Sequence, residues 1–130
     1  MATMSFTYTS KELNARERIQ LKDRSNAINI GTALKESDTP LIIDIDYYAV
    51  LHIEVPDKTE NAEKEDDSFD SYIFVDKNGT KYTTSSPSLW NAFTQIKDEL
   101  LADGITDFKI ECYKAPSQKR QGEYLCCRLV

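Results

Sequence analysis

The chain has 130 residues, 40% of them apolar and 29% charged, the balance of one globular domain with enough core to fold without disulfides or a structural metal. No apolar run approaches the roughly 18 residues that span a bilayer, and Met1 to Ser10 lacks the basic-then-apolar pattern of a secretory leader. A cytoplasmic protein without membrane association is therefore expected. The net charge of −6 comes from 16 basic and 22 acidic residues, but Asp57 to Asp70 alone holds seven acids and two lysines and so carries −5. The acidity thus belongs to one segment. It disfavours nonspecific duplex binding and leaves room for a local basic groove elsewhere.

In chain order, Thr9 to Leu21 reads as a short polar helix capped by Thr9 or Ser10, with a thin apolar face of Leu13, Ala15 and Ile19. It belongs to an N-terminal helical extension, residues 1–38, expected to pack on the main body. Ala27 to Leu34 fits either a helical turn or a strand, with Gly31 interrupting both. Leu41 to Val55 alternates with period two. Odd positions from Ile43 to Val55 suit a core face, and even positions, from Asp44 through Tyr48 and His52 to Glu54, suit a wet one. A strand that long must bend or bulge. Residues 56–70 read as an acidic, flexible loop. Ser71 to Val75 and Lys81 to Ser85 form two more strands around an Asp-Lys-Asn-Gly turn. Ser86 and Pro87 then open the best helix, whose Leu89, Phe93, Ile96 and Leu100 share one face, with Gly104 as its stop. Asp107 to Lys114 and Glu123 to Val130 alternate as two final strands around a basic, turn-rich hairpin loop, Ala115 to Gly122. The order is three strands, a helix and two strands. This is a β-rich fold with one main helix, and it matches the five-stranded OB-fold barrel, whose helix falls between its third and fourth strands. An open α+β sheet uses the same elements.

No enzyme signature is present in this pattern: the four glycines are scattered, no nucleophile elbow exists, and His52 lacks an evident cysteine or serine partner. Asp44 and Asp46 share a strand face and have the chemistry to share a proton or cation, but a solvated strand face or a covered edge is the simpler account of them. Cys112, Cys126 and Cys127 form no C-x-x-C pair, so reduced thiols and no metal are expected. No cofactor is implied.

What remains is a binding surface. Seven tyrosines, five phenylalanines and one tryptophan are interleaved with lysines and arginines. The expected outward set is Tyr48, Tyr72, Phe74, Lys81, Lys109, Tyr113, Tyr124 and Arg128, and the adjoining hairpin adds Lys114, Lys119 and Arg120. A ring gives a nucleobase a flat partner worth about 1–3 kcal/mol, and nearby cations hold phosphates. Strand aromatics also serve as core and cross-strand pairs, and Trp90 and Phe93 read as helix-to-barrel packing.

Three stretches carry a resemblance. Gly79 to Phe93 (GTKYTTSSPSLWNAF), the Lys114 to Lys119 hairpin (KAPSQK) and Gly122 to Val130 (GEYLCCRLV) resemble the small single-stranded DNA-binding proteins of phages of Gram-positive bacteria. The resemblance covers mainly the C-terminal half. It implies an OB-like, non-enzymatic protein that coats single-stranded DNA during phage replication or recombination in the host cytoplasm. Bacterial single-strand binders carry an acidic tail that recruits replication proteins, and the internal acidic loop is the candidate for that part here. The competing reading is an acidic interaction module that imitates a nucleic acid and binds a host protein. Oligomeric state stays open.

Overall fold

The computed structural model describes residues 3–23, 25–37, 39–55, 67–116 and 123–130. Its organising element is β3, Leu41–Val55, the fifteen-residue alternating run. One edge of β3 pairs antiparallel with β4, Asp67–Asp76. Its other edge is divided: Leu41 to Asp44 pair with β6, Lys109–Pro116, and Ala49 to Glu54 pair with β1, Thr3–Thr9. β4 continues into β5, Lys81–Thr84, and β6 into β7, Glu123–Leu129. A two-residue strand, β2 (Ile28–Asn29), adds the single parallel pairing among the described strands, to β5. Together these strands make one curled sheet, a half-barrel in the order β2-β5-β4-β3-β6-β7, with β1 attached to β3.

Three described helices attach to this sheet: α1 (Ala15–Lys22), α2 (Ile30–Glu36) and α3 (Pro87–Ala102). α3 forms where expected. The Ser86 hydroxyl accepts from the Leu89 amide, Pro87 occupies the first turn, and Leu89 and Phe93 are fully buried. It ends in a Schellman motif. Gly104 takes φ 75° and donates to Leu101, while Ile105 donates to Leu100. The turn after β4 also follows its sequence. The Asp76 carboxylate accepts from the Asn78 and Thr80 amides, and Gly79 takes φ 86°.

Several expectations need correction. The N-terminal region is not wholly helical, because Thr3–Thr9 is a strand built into the sheet on β3. α1 starts later than expected. Its cap is Asn14, which accepts from Glu17 while the Glu17 carboxylate reaches back to the Asn14 amide. The ambiguous Ala27 to Leu34 segment is strand and helix in succession, divided at Asn29, which caps α2 through Thr32. The acidic segment is shorter as a loop than expected, since Asp67 to Asp70 open β4; residues 56–66 lie outside the described residues.

The alternation of β3 changes phase at a bulge. Ile45 pairs with Asp76 and Tyr47 with the adjacent Val75, leaving Asp46 as the extra residue. Before it, Ile43 and Ile45 face the cluster under α3; after it, Tyr48 faces that cluster, while Ala49, Leu51 and Ile53 face a second cluster with Leu13, Leu21, Ile73 and Val75. The centre of the sheet is thus covered on both faces.

Candidate nucleic-acid interface

That double cover decides which of the expected outward residues reach solvent. Tyr48 is 6% exposed and Phe74 fully buried. Both stand edge-to-face against Phe93 with centroids 4.8 Å apart. Their assignment to the surface is corrected: β3 and β4 carry apolar side chains on both faces, and α3 closes the one expected to be wet. Burial pushes the Tyr48 hydroxyl well above the usual tyrosine range. Tyr72 is half-buried, its ring stacked on Trp90 at 4.8 Å with an interplanar angle of 6°.

Lys81 is also committed to the fold. Its ammonium donates to the Gln20 and Asp23 carbonyls at 2.6 and 2.7 Å. These carbonyls close the end of α1, where a cation is favoured. Leu21 of the same helix packs against the cluster that holds Ile73 and Val75 of β4.

Of the remaining described candidates, all but Lys114 come together, and the alternation of β6 and β7 explains how. Ile110, Cys112 and Cys127 are buried in the cluster under α3, with Leu125 packed against it. The alternate residues face the other way, and the register sets Glu111 opposite Arg128, Tyr113 opposite Cys126, and Ala115 opposite Tyr124. Lys109 is exposed on the same face, across from Asp44 of β3. The Arg128 guanidinium lies 4.4 Å from the Tyr113 ring centroid and donates to Glu111 at 2.6 Å. Tyr124 is 43% exposed, and Ile42 of β3, opposite Glu111, is 53% exposed. Lys109, Tyr113, Tyr124 and Arg128 therefore occupy one face of the outer ladder.

No family model, curated protein or solved structure matches the chain. The interface has to be read from its own chemistry. Lys114 falls on the inner side of β6, where it lines a cleft of about 360 Å³ with Gly31, Lys35 and Leu125. Lys119 and Arg120 lie outside the described residues. So does the expected partner-recruiting stretch, residues 56–66.

Asp44 sits 3.8 Å from the Lys77 ammonium, which also binds Asp107, while Asp46 occupies the bulge. His52 is hydrogen-bonded through Nδ1 to the Asp70 carboxylate, 2.8 Å away across the β3–β4 ladder, and its Nε2 is 3.5 Å from Glu54. The Asp70 hydrogen bond raises the imidazole pKa above its ordinary value. Among the described residues no group of three or more His, Cys, Asp or Glu is placed to hold a metal ion. No described helix is long and apolar enough to cross a membrane.

Sequence reasoning passes over Tyr8. Its ring is 39% exposed and stacks on Tyr48 at 6.0 Å, with the Lys97 ammonium 5.5 Å from its centroid. The period-two run Met4, Phe6, Tyr8 signals a strand, but the register shift between Phe6 and Tyr8 turns Tyr8 away from the face that Met4 and Phe6 share.

Proposed function

We propose that the protein binds single-stranded nucleic acid, as a sequence-tolerant, non-enzymatic protein of the phage-replication kind that its sequence resembles. The observation that carries this reading is the placement of Tyr113, Tyr124, Lys109 and Arg128 on one face of the β6–β7 ladder. Rings there offer flat partners to bases, and the cations offer partners to phosphates. We read the half-barrel as a partly open OB-type barrel, with α3 between its third and fourth strands when β3 is counted first. In that fold the usual ligand face lies on the second and third strands. Here α1 packs on the outer side of β4 and holds Lys81 of β5. The bound strand is accordingly assigned to β6–β7.

The face is close to neutral, because Glu111 answers Arg128 and Asp44 stands opposite Lys109. A phosphate must displace Glu111 from the guanidinium, so affinity is modest and salt-sensitive. The test is fluorescence anisotropy of a labelled oligo-dT of about 20 nucleotides, longer than the roughly 4–16 that one such fold covers. Binding should exceed that of a duplex and fall between about 50 and 200 mM salt, with a log-log slope near −0.7 per phosphate contacted. Tyr124→Ala should weaken binding of all sequences alike, by roughly 5- to 150-fold for the loss of one stacked base. Glu111→Gln should tighten it. A chain that leaves the oligonucleotide's anisotropy unchanged at low salt refutes the reading.

A further inference from the structure

The β1–β3–β4 ladder places Tyr8, Val50 and Tyr72 in one row, since Val50 is the register partner of both tyrosines. A register shift in β1 between Phe6 and Tyr8 brings Tyr8, rather than Thr7, into that row. α3 runs beside it and contributes Trp90, Thr94 and Lys97, positions four and three residues apart on one helix face. Tyr8, Val50, Trp90, Thr94 and Lys97 line a shallow, open cleft of about 260 Å³. That is below the roughly 300–1,000 Å³ of drug-sized sites.

The cleft is braced. Tyr8 is backed by Tyr48 at 6.0 Å, Trp90 is backed by Tyr72 at 4.8 Å, and Val50 is nearly closed to solvent at 6% exposure. Rings held this way lose little freedom when a ligand enters. The polar groups are few and placed at the side. The Thr94 hydroxyl donates to the Asn91 carbonyl and keeps lone pairs free to accept. The Lys97 ammonium, on a side chain only 12% exposed, holds the exposed Asp98 carboxylate at 2.7 Å, and an incoming anion competes with that carboxylate for it.

Two aromatic residues and an apolar floor suit a flat π-faced group, a threonine oxygen suits an N–H on its rim, and an ammonium suits an attached anion. From this geometry we propose that the cleft is a slot for one nucleobase bearing a phosphate. The slot deepens the single-strand reading, on which the source of that nucleotide rests: it takes one base of the bound strand, at a place separate from the β6–β7 face.

Trp90 is the chain's single tryptophan, so its emission reports occupancy directly. The experiment titrates thymidine 5′-phosphate, thymidine, inorganic phosphate and oligo-dT into the full chain while Trp90 emission and oligonucleotide anisotropy are followed. The nucleotide and the oligonucleotide should quench Trp90, thymidine should bind more weakly than its phosphate, and inorganic phosphate alone should not quench. Lys97→Gln should erase the difference between thymidine and its phosphate. Tyr8→Ala should weaken quenching roughly 5-fold or more, as loss of a stacking partner does. Thr94→Phe, which fills the cleft and leaves the ring pile intact, should abolish it if Tyr8→Ala perturbs folding. Oligonucleotide binding with Trp90 emission unchanged overturns the slot and leaves the single-strand reading standing. Quenching by the mononucleotide with no oligonucleotide binding supports the slot and overturns that reading. No response from either ligand overturns both.

Discussion

Adjacent residues Cys126 and Cys127 point to opposite sides of β7, and their thiols differ accordingly. Cys127 and its register partner Cys112 lie in the core, where burial pushes the Cys127 thiol up to about 12 and the Cys112 thiol higher still. Cys126 is half-buried on the outer face, opposite Tyr113. A thiol-reactive probe should therefore label one cysteine rapidly in the native chain, and Cys126→Ser should remove that phase; fast labelling of all three would contradict the assignment. His52 supplies a second residue-level prediction. Its folded pKa lies above the ordinary 6.5 because its charged form is hydrogen-bonded to Asp70. The stabilisation is complete below the unfolded-state pKa and disappears as pH rises through the folded one. The stability difference between wild type and His52→Gln should be larger at about pH 5.5 than at about pH 8.5. An equal difference at both pH values would mean that the Asp70 contact contributes nothing. At this scale strict alternation misplaces Tyr48, since the Asp46 bulge exchanges the faces that it assigns. Nothing in the residue types of Leu41 to Val55 marks the bulge position.

The elements themselves are largely legible. β4, β5, α3, β6 and β7 stand near where alternation, the Asn-Gly turn and the Ser-Pro helix start place them. Their signals are local: a repeat of two or about four, bounded by turn residues. β1 escapes a sequence reading because its alternation is short and broken by a register shift, and it is held only where β3 offers an edge. The covering of both sheet faces is also illegible, because which helix lies on which face depends on contacts far apart in sequence. The end of α3 provides a check on a local signal. Gly104 adopts φ 75°, and a Cβ added there would meet nothing within 4 Å, so substitution strains the backbone without a steric clash. Gly104→Ala should cost about 1 kcal/mol by thermal or urea unfolding. A neutral result would show that the Schellman end does not hold the helix.

For the whole molecule, the distribution of covered and open sheet surface decides where a ligand can lie. α3 and α2 occupy the inner side and α1 part of the outer side, so the middle strands hold their rings for structure. The β6–β7 ladder and the short start of β3 beside it carry the open face with Tyr124, Lys109 and Arg128. That part of the site is legible in the sequence, because β6 and β7 have one buried and one open side and therefore obey simple alternation. Tyr48→Ala, placed under α3, should lower stability by about 3 kcal/mol or more, the range for truncating a buried aromatic. If Tyr48→Ala left stability unchanged while weakening binding, the division between structural and ligand-facing rings would be wrong. The most direct measurement is the alkylation rate of Cys126, in the middle of the β6–β7 face, with and without saturating oligo-dT. Bound single strands should slow the reaction several-fold, and duplex added instead should leave it unchanged. An unaltered rate under conditions where the oligonucleotide is bound would contradict the assignment of this face to nucleic acid.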